Sequence, residues 1–255
     1  MKGVTTVQNS RISDRRKPLP AQTVRHRLRF PGVFSPSSTT TLTLVFLTNL
    51  LCFWTSPVFT DEIFSLSPPT LERIGKHFGE DARQRLLAWQ QILQDNSDAT
   101  ELEKISRVNT FFNRLDFTDD RTLWQQEDYW ATPIEFLARG GGDCEDFSIA
   151  KFFTLKAMGL DEKRLAITYV KALGLNQAHM VLTYYPSPGA EPLILDNLTS
   201  KVLPASRRPD LLPVYTFNGA GLWIAKQRGR GQMVGSSKRL KNWRDLLERM
   251  HRDTR

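Results

Sequence analysis

Gly140-Gly141-Gly142-Asp143-Cys144-Glu145-Asp146 sets one thiol among three acids, directly after a glycine run and at the start of a segment that reads as a helix. A cysteine so placed can attack a carbonyl carbon if something takes its proton, because a free thiol is only a few per cent ionised at neutral pH. A helix N-terminus puts about half a positive charge beside the sulfur, and the residue's own backbone N–H can help hold an oxyanion. The glycines leave the sulfur uncovered. The chain has two cysteines. The other, Cys52, lies in an N-terminal apolar run with the layout of an export signal, so the exported chain would keep a single thiol with no internal disulfide partner. The plainer account of Cys144 is a small buried hydrophobe at a helix start. Its exposed setting favours the nucleophile.

A base must serve that thiol, and the chain offers four histidines. His26 precedes the apolar run, His251 sits in a charged C-terminal helix, and His77 lies near the start of the exported part. His179 remains, opening the apolar strand His179-Met180-Val181-Leu182, where a histidine could equally be a satisfied core or edge residue. Symmetric pairing about the turn Pro186-Ser187-Pro188-Gly189 sets Tyr185 opposite Ala190, and so His179 opposite Asp196. Facing residues share a side of the sheet at about 5 Å, near enough for a carboxylate to orient an imidazole. A slip of one residue would undo this, and Asp196 could instead be a strand-end turn residue beside Asn197.

The acids beside the sulfur pose a problem. Asp143, Glu145 and Asp146 suit a helix N-terminus, yet three carboxylates next to a thiol oppose its ionisation. A bound cation would remove the conflict. The available ligands are hard oxygens, which suit Ca²⁺, and no Cys/His set exists for a structural zinc.

Around these residues the first half of the chain reads as helical and the second as mostly strand, so one α+β domain is expected. Leu86, Trp89 and Leu93 recur at helical spacing from about 81 to 93. Thr100-Glu101-Leu102-Glu103 is a capping box opening a helix with Ile105, Val108, Phe112 and Leu115 on its inner face. Thr132-Pro133-Ile134-Glu135 repeats that signal for a short helix ending at Gly140. Asp143 is then expected to cap a helix running to about Met158, with Ile149, Phe153 and Ala157 on one face and Gly159 as terminator. Strands follow at 165–173, 178–185 and 193–197, with further sheet near 214–217 and 222–225. The chain closes on a basic helix with Leu240, Trp243, Leu247 and Met250 as its apolar stripe.

The formal charge of +8 suggests a polyanion partner until its distribution is read. Residues 1–60 hold eight lysines and arginines against Asp14 alone, and so account for all but one of those charges. The remainder is nearly neutral, which gives no electrostatic case for nucleic-acid binding. From Phe30 to Thr60 nothing is charged, and Leu42 to Trp54 is almost wholly apolar yet shorter than the roughly 20 residues of a membrane span. The organisation expected is a basic leader and signal over 1–60, a catalytic domain over 61–230, and a basic helix over 231–255. No membrane span would remain after signal cleavage.

Gly141-Gly142-Asp143-Cys144-Glu145-Asp146, Ala178-His179-Met180-Val181-Leu182 and Leu195-Asp196-Asn197-Leu198 together resemble the bacterial transglutaminase-like cysteine proteinase family. Asp128-Tyr129-Trp130-Ala131-Thr132-Pro133, Tyr169-Val170-Lys171 and Pro213-Val214-Tyr215 extend the resemblance over roughly Leu71 to Ala225. It implies a papain-like or transglutaminase-like core, with helices packed on an antiparallel sheet and the nucleophile at a helix N-terminus. It also implies Cys144 as nucleophile, His179 as base and Asp196 as orienting acid. Calcium would be held by Asp143 and Glu145, with Asp146 as a further ligand. The implied substrate is a large surface adhesin cut near its N-terminus in the periplasm, which frees the adhesin and disperses biofilm. The implied partner is the periplasmic domain of a LapD-type cyclic di-GMP receptor. Two other readings stay open: acyl transfer to an amine by the same triad, and a non-catalytic module that only docks on a receptor or adhesin.

Overall fold

The computed structural model describes residues 66–94, 98–225 and 231–253. The basic leader, the apolar run and Cys52 lie outside the described residues. Three helices come first: α1 (Pro68–Phe78), α2 (Glu80–Gln94) and α3 (Glu101–Phe112). The third is opened by the expected capping box, in which the Thr100 hydroxyl accepts from the Glu103 N–H and the Glu103 carboxylate accepts from the Thr100 N–H. Such a cap stabilises a helix start by about 1 kcal/mol. After a two-residue strand β1 (Asp116–Phe117) and a single-turn helix α4 (Asp120–Leu123), the second capping box opens α5 (Pro133–Arg139). Gly140 closes α5 at φ 81°, a left-handed conformation suited to glycine.

Strand β2 (Gly141–Gly142) pairs in parallel with β1 and leads straight into α6 (Cys144–Ala157). The sequence led us to expect one apolar face on α6. Instead every residue from Asp146 to Leu155 is buried, because the other helices cover one side of α6 and the sheet covers the other. A helix enclosed on all sides has no amphipathic period to read.

The sheet has seven strands: β3 (Leu165–Ala172), β4 (Gln177–Tyr184), β5 (Leu193–Leu195), β6 (Leu203–Pro204), β7 (Leu211–Phe217), β8 (Leu222–Ile224) and β9 (Met233–Gly235). Their order is β6-β5-β4-β3-β7-β8-β9, and each neighbouring pair is antiparallel. Met180, Leu182 and Tyr184 of β4 join the main core with α6, while Val170, Val181, Ile194 and Leu211 form a smaller cluster. This is the expected α+β architecture.

The register of the β4–β5 hairpin differs from the symmetric one. Leu182 faces Leu195 and Tyr184 faces Leu193, a slip of two residues. Pro186, Pro188 and Pro192 cannot donate to a ladder, and the Tyr185 N–H is taken by the Arg164 carbonyl at 2.8 Å. Tyr185 to Pro192 therefore form a longer connection than the tight turn expected. A slip of two preserves side-chain parity, so His179 and Asp196 become diagonal neighbours on one side of the sheet rather than a facing pair.

The closing helix α7 (Lys241–Asp253), which the sequence set apart with the tail, docks on the main core. Trp243 stacks on Phe153 with centroids 5.6 Å apart and meets Phe152 and Phe217 edge-on. Leu246 is buried where the stripe named Leu247, which is exposed. Among the described residues no helix is long and apolar enough to cross a membrane.

Candidate active site

The β1–β2 bridge and the left-handed Gly140 turn deliver Cys144 to the first position of α6. The thiol is half-buried rather than exposed, as the glycine run suggested it would be. It lies in a cleft of about 490 Å³ that His179, Met180, Asp128 and Trp130 also line. The Cys144 S–H donates to Glu145 Oε2 at 3.0 Å. Burial, then the Glu145 charge and that hydrogen bond, and then Asp143 hold the thiol well above the usual range, while the backbone N–H of Met180 pulls the other way.

His179, near the start of β4, is buried and meets Asp196 just beyond β5, with Nε2 2.8 Å from Oδ1. Burial alone would raise the Asp196 pKa, but the hydrogen bond and charge of His179, the Leu198 N–H and the Arg208 guanidinium hold it down at about 2. The carboxylate is thus ionised and can only accept, so Nε2 carries the proton of this contact, and in the neutral ring the lone pair is on Nδ1. Sequence reasoning did not foresee how firmly Asp196 is held. Arg208 Nη2 donates to Asp196 Oδ2 at 2.7 Å and is itself braced by Asp210, while Asn113 Nδ2 donates to the Asp196 carbonyl at 2.7 Å.

The three acids of the nucleophile motif do converge, and two more join them. Ligand-capable oxygens of Asp120, Asp143 and Asp146 lie within 4.8 Å of one another, as do those of Asp120, Asp128 and Glu145. Asp143 occupies the N-cap position of α6, yet its side chain makes no cap hydrogen bond and turns into this cluster. Asp120 begins α4, where Asp119 already serves as the cap by accepting from the Thr122 N–H. That second, redundant acid was the one signal available in the sequence. Asp120 Oδ2 accepts from the Tyr129 N–H at 2.5 Å and Asp146 Oδ1 from the Ala131 N–H at 2.7 Å. Among the described residues, the buried oxygens Asp120 Oδ1, Asp143 Oδ1 and Asp146 Oδ2 have no hydrogen-bond partner. Unpaired buried acceptors of this kind fit a hard cation.

With no ion beside them, burial and mutual repulsion favour the protonated form of these carboxyls. Burial first, then neighbouring negative charge, pushes Asp120 up to about 6 and Asp143 up to about 10, and burial raises Asp146 as well. A carboxyl whose pKa is raised by folding contributes stability that is complete below its unfolded value of 3.8 and is lost as pH rises through the folded one. Buried Lys151, pulled down to about 7, adds an opposite slope only above that pH, and Asp196 matters only below about pH 4. The melting temperature of chelator-treated protein is therefore expected to fall between pH 5 and pH 7, and excess calcium to remove the fall. A flat or rising profile in chelator would contradict this account of the cluster.

Comparison with known proteins gives the arrangement a lineage. The model of the bacterial transglutaminase-like cysteine proteinases, BTLCP, matches residues 82–212. The EGTA-treated structure of LapG from Legionella pneumophila is 48% identical over 71% of this chain and 97% of its own, with a TM-score of 0.62. The calcium-bound structure of LapG from the same organism is 47% identical over 71% of this chain and 98% of its own, with a TM-score of 0.60. No curated protein matches. With more than half its length matched and the cysteine, histidine and carboxylates gathered in one cleft, the chain belongs to the bacterial transglutaminase-like cysteine proteinase family.

Proposed function

We propose that the chain is a periplasmic, calcium-dependent cysteine endopeptidase that cuts the N-terminal region of a large surface adhesin, releasing it and dispersing biofilm. The observation that carries the chemistry is the His179–Asp196 hydrogen bond at 2.8 Å, which leaves Nδ1 available in the cleft that His179 shares with Cys144. Nδ1 takes the thiol proton and Cys144 Sγ attacks the peptide carbonyl. The resulting imidazolium returns the proton to the leaving amine, and a thioester remains. His179 then deprotonates a water that hydrolyses the thioester and restores the thiol. Asp196, fixed by Arg208, keeps the imidazole in the tautomer and orientation this requires.

Asp120, Asp143, Glu145 and Asp146, with Asp128 beside them, would hold Ca²⁺. Bound there, the ion supplies positive charge that offsets the carboxylates keeping the thiol protonated. The similarity to LapG, for which calcium-bound and EGTA-treated structures exist, supports the choice of metal. The adhesin as substrate and the periplasmic domain of a LapD-type cyclic di-GMP receptor as partner are carried over from the motif resemblance around Cys144, His179 and Asp196.

Acyl transfer to an amine would use the same residues and is separated by its product. The test incubates an adhesin N-terminal fragment with the protein in calcium, in EGTA, and in calcium with a labelled amine. Cleavage in calcium, none in EGTA and no label in the product are expected. Cleavage that persists in EGTA overturns the calcium requirement. Label incorporated in place of hydrolysis overturns the endopeptidase.

A further inference from the structure

The family match ends at residue 212, short of the basic helix expected over 231–255. In the fold that tail becomes α7, and one face of it grips the loop beside the acidic cluster. Asn242 Nδ2 donates to Asp128 Oδ2 at 2.7 Å, while Trp130 Nε1 donates to the other oxygen of the same carboxylate at 2.8 Å. Two turns along, Arg249 donates to the Trp130 carbonyl, lies 4.4 Å above the Tyr129 ring, and sits 3.6 Å from Glu135. Glu135 in turn accepts from the Tyr129 hydroxyl at 2.9 Å and from the Thr132 N–H at 2.8 Å. Asn242 and Arg249 thus hold both ends of Asp128–Trp130, and Trp243 and Leu246 between them fix α7 in the core.

The gripped loop orients the cluster. The N–H of Tyr129 aims Asp120, the N–H of the adjoining Ala131 aims Asp146, and Asp128 contributes a carboxylate of its own. An oxygen ligand takes up a cation well only if it is already pointed at it, and removing an outer-shell partner of a metal ligand typically weakens affinity by about 10- to 100-fold. We propose that the C-terminal helix is a positioning clamp, through which Asn242 and Arg249 set the affinity of the acidic cluster for calcium. The proposal rests on the calcium reading above and adds a control element distant in sequence. Neither residue supplies one of the convergent oxygens.

The test is calorimetric titration of the metal-free protein with calcium chloride, for wild type, Asn242→Ala, Arg249→Ala, Arg249→Lys and Lys241→Ala. Lys241 pairs with Asp245 on its own helix and serves as the control. Asn242→Ala and Arg249→Ala are each expected to raise the calcium concentration at half-saturation by about tenfold or more, and Arg249→Lys by less. Lys241→Ala should bind as wild type does. Asn242 lies at the surface, so its alanine variant should melt at the wild-type temperature in chelator and recover wild-type kcat at saturating calcium. A merely structural role would lower both. Unchanged affinity in Asn242→Ala and in folded Arg249→Lys overturns the clamp while leaving the calcium reading intact. No calcium binding by wild type overturns the calcium reading, and the clamp with it.

Discussion

Replacing Cys144 by alanine is expected to lower kcat/KM for cleavage by at least about 10,000-fold, equivalent to about 5 kcal/mol of transition-state stabilisation. Without the sulfur there is no acyl-enzyme, and the cleft has only binding and a helix N-terminus left to offer. His179→Ala should fall nearly as far, because a thiol held above its usual range by burial and by Glu145 does not ionise unaided. The double variant should fall little further than either single one, since the two residues act as a unit. Cys144→Ala should still bind calcium, for the sulfur is not one of the convergent oxygens. Initial-rate assays on an adhesin fragment, with calorimetry as control, read all three. Cleavage surviving either single change would sink the proposed triad.

The second large effect is expected at Gly142, where space is the constraint. A Cβ there would stand 2.2 Å from Asp146 Oδ2, 2.9 Å from Asp146 Cβ and 2.9 Å from the Phe136 ring. Asp146 and Phe136 are both fully buried, so neither side chain can swing into solvent to make room. Gly142→Ala must therefore displace the carboxylate from the cluster, or part β2 from α6. Overpacking with loss of a buried polar contact should cost about 3 kcal/mol, which for a domain of this size lowers the melting temperature by roughly 6–12 °C. Calcium affinity should collapse with it. Gly141→Ala is the informative companion, because its Cβ would strike the Asp116 carbonyl 2.5 Å away and strain the β1–β2 bridge without touching Asp146. Calcium binding of wild-type strength by a stable Gly142→Ala protein would show that Asp146 is not a ligand.

Local signals were readable in the chain, while those set by distant packing were not. Both capping boxes appear at Thr100 and Thr132 because a cap involves only four consecutive residues. Gly140 stops α5 for an equally local reason. The pairing of His179 with Asp196 was inferred through a register that was two residues off, and it held only because β side chains repeat with a period of two. The connection from Tyr185 to Pro192 is governed by Arg164, which no turn rule mentions. Asp120 and Asp128 were not read as members of the acidic cluster because they lie in an aperiodic stretch that reaches the nucleophile only in three dimensions. Asp143 looked like a cap and is instead turned inward, a choice made by the cluster rather than by its neighbours in sequence. Lys151 and Arg208 carried no local signal at all, and both prove buried near the carboxylate of Asp196.

Trp130 gives the protein a built-in optical gauge. Its indole is almost fully buried, lies against Phe217 with centroids 5.6 Å apart, and points its N–H at Asp128 on the edge of the acidic cluster. A divalent charge arriving in a poorly screened interior imposes a strong field on that ring and competes for the carboxylate it is bound to. Filling of the cluster is therefore expected to change the ultraviolet emission of this native residue, a change that stopped-flow mixing of unlabelled metal-free protein with calcium would read.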